Sequence, residues 1–162
     1  MKKFTKRVYL LRHAKSDWKD PLAEDFDRPL NKRGKQDAPM MAKRMHKIGI
    51  QPDIILSSPA KRAKTTAEYF SKALDAKIIL DPEIYEASVA TLKQVIQKAF
   101  KHYDTVMLVG HNPSLTLLCN TLCDEPIENM PTAGIVGIGF ASDDIDEGRG
   151  VFLFWDYPKK EQ

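Results

Sequence analysis

Four short apolar runs recur along this chain, each followed by a stretch with the caps and spacing of a helix, and this alternation narrows the possible folds more than any other feature. The runs are Arg7–Leu11, Asp53–Ser57, Ala76–Leu80 and Thr105–Val109. Each is rich in β-branched and aliphatic residues and too short for a helix, so each is expected to be a buried strand. Between them, helices are expected from Asn31 to Ile48, from Pro59 to Leu74, over Val89–Tyr103 after the cap Ser88, and from Pro113 through Cys123. Pro39 should kink or restart the first, because it lacks a backbone donor and crowds the preceding turn. Two further strands are expected near Gly134–Ala141 and Val151–Trp155, joined by the acidic turn Ser142–Gly150.

Strand and helix in this order predict an α/β chain, a three-layer α/β/α sandwich around a mostly parallel sheet. No repeat, low-complexity tract or linker divides the 162 residues, so 1–162 is expected to be a single domain. In such sheets ligands bind at the carboxyl ends of the strands. Three segments fall at such ends: Arg12-His13, Ser57-Ser58 and Gly110-His111. They could meet although they stand about fifty residues apart.

Composition removes several function classes. With 43% apolar and 29% charged residues the chain should form a packed globule. Lys plus Arg number 25 against 22 Asp plus Glu, a net +3 that suits anionic substrates without calling for nucleic acid, for which no motif is present. The basic clusters at Lys2, Lys3, Lys6 and Arg7, at Lys32, Arg33 and Lys35, and at Lys61, Arg62 and Lys64 read as solvated faces. The first residues begin like a secretory signal, but the apolar stretch Val8–Leu11 is broken by Arg12 and His13, and no segment has the length of a membrane span. A cytoplasmic location and no membrane partner are therefore expected. Cys119 and Cys123, one helical turn apart, supply at most half of a zinc site, so buried small side chains and no metal are expected.

Phosphoryl transfer without a metal needs a nucleophile and fixed positive charge for the equatorial oxygens, and the arginine fork supplies that charge. Arg12 and His13 lie just past a strand, Arg62 lies one turn into a helix whose N-terminus favours anions, and His111 lies at another strand-to-helix junction. Any one of these is weak, since a lone histidine near a strand end is more often structural. The ordered set is far more specific. For His13 to attack, one ring nitrogen must be unprotonated, which requires an acceptor for the hydrogen on the other; the sequence does not identify it.

In this set the chain resembles the histidine phosphatase (phosphoglycerate-mutase-like) superfamily, and within it the small SixA-type phosphohistidine phosphatases. The resemblance runs through Arg12-His13, the segment Arg28-Pro29-Leu30-Asn31-Lys32-Arg33-Gly34, the helix start from Ser58-Pro59 to Thr66, and Gly110-His111-Asn112-Pro113. It implies a phosphohistidine intermediate on His13, with Arg12, Arg62 and His111 around the phosphoryl group and no cofactor. It also implies an acidic residue that serves the leaving group; Glu86 aligns best and Glu83 is the alternative. Ser16, Lys19 and Asn112 would join the substrate-binding set. Lys19 stands where the family often has Asn, so it would either charge the rim or point to water, and Trp18 would be a wall of the pocket mouth or a packed surface aromatic.

The family's usual Arg-His-Gly is Arg-His-Ala here, so the backbone at Ala14 should avoid conformations reserved for glycine. Only Ala67–Ile84 separates the Arg62 helix start from Glu86, too little for the cap domain of larger members. An open site fits a phosphorylated protein, with phosphohistidine as the expected group. A phosphatase or mutase of small sugar or nucleotide esters is the alternative substrate class, and a non-catalytic module that binds phosphorylated ligands is the alternative outside enzymes. Oligomeric state is not legible.

Overall fold

In the computed structural model the described residues are 4–159 apart from 125, 147 and 148. Lys2, Lys3 and part of the expected turn over 142–150 lie outside them. Six strands form one sheet: β1 (Lys6–Arg12), β2 (Ile54–Ser57), β3 (Ile78–Leu80), β4 (Thr105–Gly110), β5 (Ile135–Phe140) and β6 (Val151–Asp156). Four helices accompany them: α1 (Lys32–Lys47), α2 (Lys61–Leu74), α3 (Val89–Phe100) and α4 (Ser114–Leu122).

The strand order is β3-β2-β4-β1-β5-β6. The first four strands run parallel, and β5 and β6 are added antiparallel at the β1 side, so the sheet is mixed. Alternation along each strand decides the layers, because successive side chains point to opposite faces. Val8, Leu10, Ile54, Leu56, Val106 and Leu108 join one core with residues of α3 and α4. Tyr9, Leu11, Ile55, Met107 and Val109 join the other with residues of α1 and α2. Both faces are thereby covered, and each large side chain sealed between layers, such as Phe70 or Phe100, contributes about 1.5–3 kcal/mol.

Local signals set the helix ends with small departures. Asn31 accepts from the Gly34 N–H at 2.8 Å and starts α1. This helix runs unbroken through Pro39, because burial of Ala38, Met41, Ala42 and Met45 outweighs the one hydrogen bond lost. Pro59 lies outside α2, which Ala60 precedes. Ser88 caps α3 as expected, but the helix ends at Phe100 rather than Tyr103. Cys119 and Cys123 are both buried, with the Cys123 thiol donating to the Cys119 carbonyl, and the hydrogen bond with Cys123 together with burial pushes the Cys119 thiol up. Among the described residues no helix is long and apolar enough to cross a membrane.

Candidate active site

Strand register brings the three expected segments together. Arg12 pairs with Gly110 and Ser57 with Val109, so the residues that follow, His13, His111 and Ser58, leave three adjacent strands at one edge of the sheet. Backbone bonds extend the pairing past the strands, from His13 N to Gly110 O at 3.1 Å and from Ser58 N to Val109 O at 3.0 Å. The rings of His13 and His111 end up 5.2 Å apart, centroid to centroid.

The missing acceptor for His13 is the carbonyl of the next residue. Its Nδ1 lies 2.7 Å from the Ala14 oxygen. A carbonyl only accepts, so Nδ1 carries the hydrogen and Nε2 keeps its lone pair. Burial first, against the opposing effect of that bond, and then the nearby His111, Arg62 and Arg12, lower the His13 pKa to about 3. Among described non-glycine residues positive φ is confined to Asp75, Glu86 and Ala133, so Ala14 sits in an ordinary conformation, as its substitution for glycine requires.

Around this nucleophile candidate the polar atoms converge. His111 Nε2 meets the Ser58 hydroxyl at 2.8 Å. That oxygen also accepts from Ala60 N at 3.2 Å, and among the described residues its own hydrogen has no acceptor besides Nε2, which assigns that hydrogen to Nε2 and the imidazole hydrogen to Nδ1. His111 Nδ1 and Arg12 Nε are buried with no hydrogen-bond partner among the described residues. Arg12 and His111 both line the cleft that holds His13, and an oxyanion bound there would match donors that are otherwise costly to leave unpaired. Burial and then Arg62 lower the Arg12 pKa, and burial followed by Arg62 lowers that of His111 to about 4. Arg12 also donates to the Met130 carbonyl at 3.0 Å, which fixes its direction.

The cleft that contains these groups, about 360 Å³, is lined by Arg12, His13, Ser16, Trp18, Arg62 and His111 among others. Of the further expected residues, Ser16 is buried and accepts from the Trp18 indole at 2.8 Å. Trp18 is both cleft wall and stacking surface, with the Arg28 guanidinium 4.0 Å from its ring centroid. Asn112 reaches the cleft, but its amide is spent on Asn129, Met130 and Thr116, which tie the 129–130 segment to α4. Lys19 is exposed, does not line the cleft, and has its backbone N–H on Asp17.

A second cleft of about 350 Å³ opens on the other side of Arg62 and His111, lined by Asp25, Tyr85, Glu86 and Ser114 among others. Glu86 therefore borders the site, with its backbone at φ 54°, a left-handed conformation that costs about 1 kcal/mol or more outside glycine. Glu83 instead lines a groove with Asp81, Val95 and Lys98.

Four contributors were given no role by the sequence. Thr66, fully buried, accepts from Ala14 N at 3.0 Å and donates to the Arg62 carbonyl at 2.8 Å, which links the loop after His13 to the helix carrying Arg62. Ser58 orients His111. Asp25 binds Arg62, and Tyr85 donates to the Asp25 carboxylate at 2.6 Å. A run of Ser and Thr at the buried start of α2 is the one available signal; nothing local marks Asp25 or Tyr85.

The family model of the histidine phosphatase superfamily, branch 1, matches residues 8–101, more than half of the chain. A structure from Agrobacterium tumefaciens assigned as the phosphohistidine phosphatase SixA is 33% identical, superposes with a TM-score of 0.83, and shares coverage of 96% of this chain and 99% of that one. The protein histidine phosphatase SixA in complex with tungstate has the same fold at 23% identity, with a TM-score of 0.81 and coverage of 94% of this chain and 97% of that one. An uncharacterised chloroplastic protein of Arabidopsis thaliana is 34% identical over 119 residues, covering 67% of this chain and 55% of the plant protein. The chain thus spans about half the length of that plant relative.

Proposed function

The chain belongs to the histidine phosphatase superfamily, and from that we propose that it is a metal-independent phosphatase that removes phosphoryl groups from histidine on a protein, through a phosphohistidine intermediate on His13. The observation that carries this reading is the pairing of an unprotonated His13 Nε2 with unpartnered buried donors on Arg12 and His111 in one cleft.

In the first step Nε2 of His13 attacks phosphorus in line as the bond from phosphorus to the substrate nitrogen breaks. The bonding pair stays on that nitrogen, which picks up a proton from Glu86 or solvent. Arg12, Arg62 and His111 Nδ1 balance the charge on the equatorial oxygens, the role a metal takes elsewhere. Water then attacks phospho-His13, its proton passes to a carboxylate, and the phosphorus–Nε2 bond breaks to release phosphate.

Charge favours phosphohistidine over a small phosphoester. The second cleft carries two carboxylates, Glu86 and the Arg62-paired Asp25, beside the aromatic rings of Tyr85 and His111, with Arg62 its one permanently cationic side chain. Such a surface suits a planar imidazole that leaves with a positive or neutral charge and disfavours nucleotides or sugar bisphosphates, which bring further negative charge. The deciding experiment compares rates on phosphohistidine protein, phosphoserine peptide, sugar phosphates and nucleotides at one pH, with and without EDTA. Preferential turnover of phosphohistidine protein, unchanged by EDTA, is expected. Turnover of small esters alone would move the protein to a different substrate class, and EDTA inhibition would overturn metal independence.

A further inference from the structure

One residue outside the expected set grips the phosphoryl-binding arginine from both ends of its fork. Arg62 Nη1 donates to the Asp25 carbonyl at 2.7 Å, and Nη2 donates to the Asp25 carboxylate at 3.0 Å. The same carboxylate oxygen accepts from the Tyr85 hydroxyl. Tyr85 stands edge-on to His111 at 5.6 Å and to Phe26 at 5.1 Å. Asp25 therefore connects the guanidinium to the aromatic flank of the second histidine. A guanidinium has five N–H groups, so two spent on Asp25 leave three for an oxyanion.

The segment that presents Asp25 is itself fixed. Arg28 donates to the carbonyls of Asp20 and Ala23 at 3.1 and 3.2 Å while stacked on Trp18. Asp25 then falls on a short 3-10 turn, Asp25–Asp27, with no buried residue. The ion pair is lopsided, since the Arg62 side chain is 8% exposed and that of Asp25 45%. A half-exposed carboxylate adds little to folding stability. What it does is remove rotational freedom from a buried cation, and that matters where the cation must meet a transition state.

We propose that Asp25 is a positioning residue for catalysis, holding the Arg62 guanidinium at the angle from which its remaining N–H groups meet the phosphoryl oxygens. This deepens the phosphatase reading and rests on it. The carboxylate acts through Arg62 and is not the proton donor.

The test compares wild type, Asp25→Ala, Asp25→Asn, Arg62→Ala and the Asp25→Ala/Arg62→Ala double variant. Turnover is measured on the phosphohistidine protein, tungstate affinity by calorimetry, and the melting temperature alongside. Asp25→Ala is expected to lower kcat about 10- to 100-fold and weaken tungstate binding, with KM and melting temperature little changed. Asp25→Asn, whose amide oxygen still accepts from Arg62, should recover most of the loss. The double variant should be no slower than Arg62→Ala, because two residues acting as one unit are not additive. Unchanged kcat and tungstate affinity in Asp25→Ala would overturn the proposal, as would an Asn variant as slow as the Ala one or a double variant slower than Arg62→Ala. Were wild type inactive on every phosphorylated substrate, the phosphatase reading would fall, and the tungstate comparison would still decide whether Asp25 orders an anion-binding Arg62.

Discussion

Nδ1 of His13 lies 2.7 Å from the carbonyl oxygen of Ala14, its immediate neighbour in the chain. The tautomer of the proposed nucleophile is thus set by backbone, with no carboxylate behind the ring among the described residues. A carboxylate would raise the pKa of the imidazole; here burial dominates and lowers it to about 3, and that of His111 to about 4. Both rings should be neutral at every physiological pH. NMR titration of the two imidazoles should show flat shifts from pH 8 down to about 5, and a midpoint near the ordinary histidine value of about 6.5 would contradict this.

The same depression ties stability to acid. Unfolded, each ring binds a proton below about pH 6.5; folded, each stays neutral until pH reaches about 4 or about 3. The unfolded state therefore binds more protons in that window, so stability rises with pH there and is lost as pH falls from about 6.5 toward 3. Melting temperatures measured across this range should decline toward acid, and His111→Phe, which keeps an aromatic ring and removes the titration, should make the decline shallower.

His13→Ala should abolish turnover and the transfer of labelled phosphate to the chain while leaving circular dichroism unchanged, because His13 lies beyond the end of β1 rather than in either core. Retained labelling would place the nucleophile elsewhere.

Ser58→Ala removes the hydroxyl that gives its hydrogen to His111 Nε2 and leaves a buried ring nitrogen unmatched. The imidazole then has no reason to keep its hydrogen on Nδ1. A stability loss of about 1–3 kcal/mol by denaturant titration is expected, together with a fall in kcat of about tenfold or more. Ser58→Thr, which keeps the hydroxyl, should retain more activity than Ser58→Ala.

Gly34 in the first turn of α1 packs directly on the backbone of Lys15, and a Cβ there would lie 2.2 Å from the Lys15 carbonyl oxygen, far closer than contact allows. Asn31 N also donates to that carbonyl at 2.9 Å. Gly34→Ala must push α1 away from the loop that follows His13. It should destabilise the fold by about 1–3 kcal/mol, read by denaturant titration, and slow turnover although residue 34 lies outside the cleft lining.

The layered fold was legible because its strands are short aliphatic runs and its helix starts carry caps, as at Asn31 and Ser88. Where expectation and structure part, tertiary packing prevailed: α1 passes through Pro39 because its buried face holds it together. Arg12, His13, Arg62 and His111 could be found because each sits at a strand end or helix start, positions that topology brings to one edge. Asp25 and Tyr85 could not, since Asp25 reaches Arg62 from a loop held by Arg28 and Trp18, and Tyr85 joins them only through its hydrogen bond to Asp25. Asn112 shows the converse. It belongs to a recognisable motif, yet its amide serves the local architecture of residues 129–130.

Strand β4 lies between β1 and β2, and its width sets how far the ends bearing Arg12 and Ser58 stand from each other. A bulkier side chain at Val106 or Leu108 would press into the core beneath α3 and α4, lift those helices from the sheet and disturb the His111 end of β4 with every candidate group still present. In a random mutational survey, inactive clones should therefore trace a line down the middle of the sheet, far from any atom that touches phosphorus.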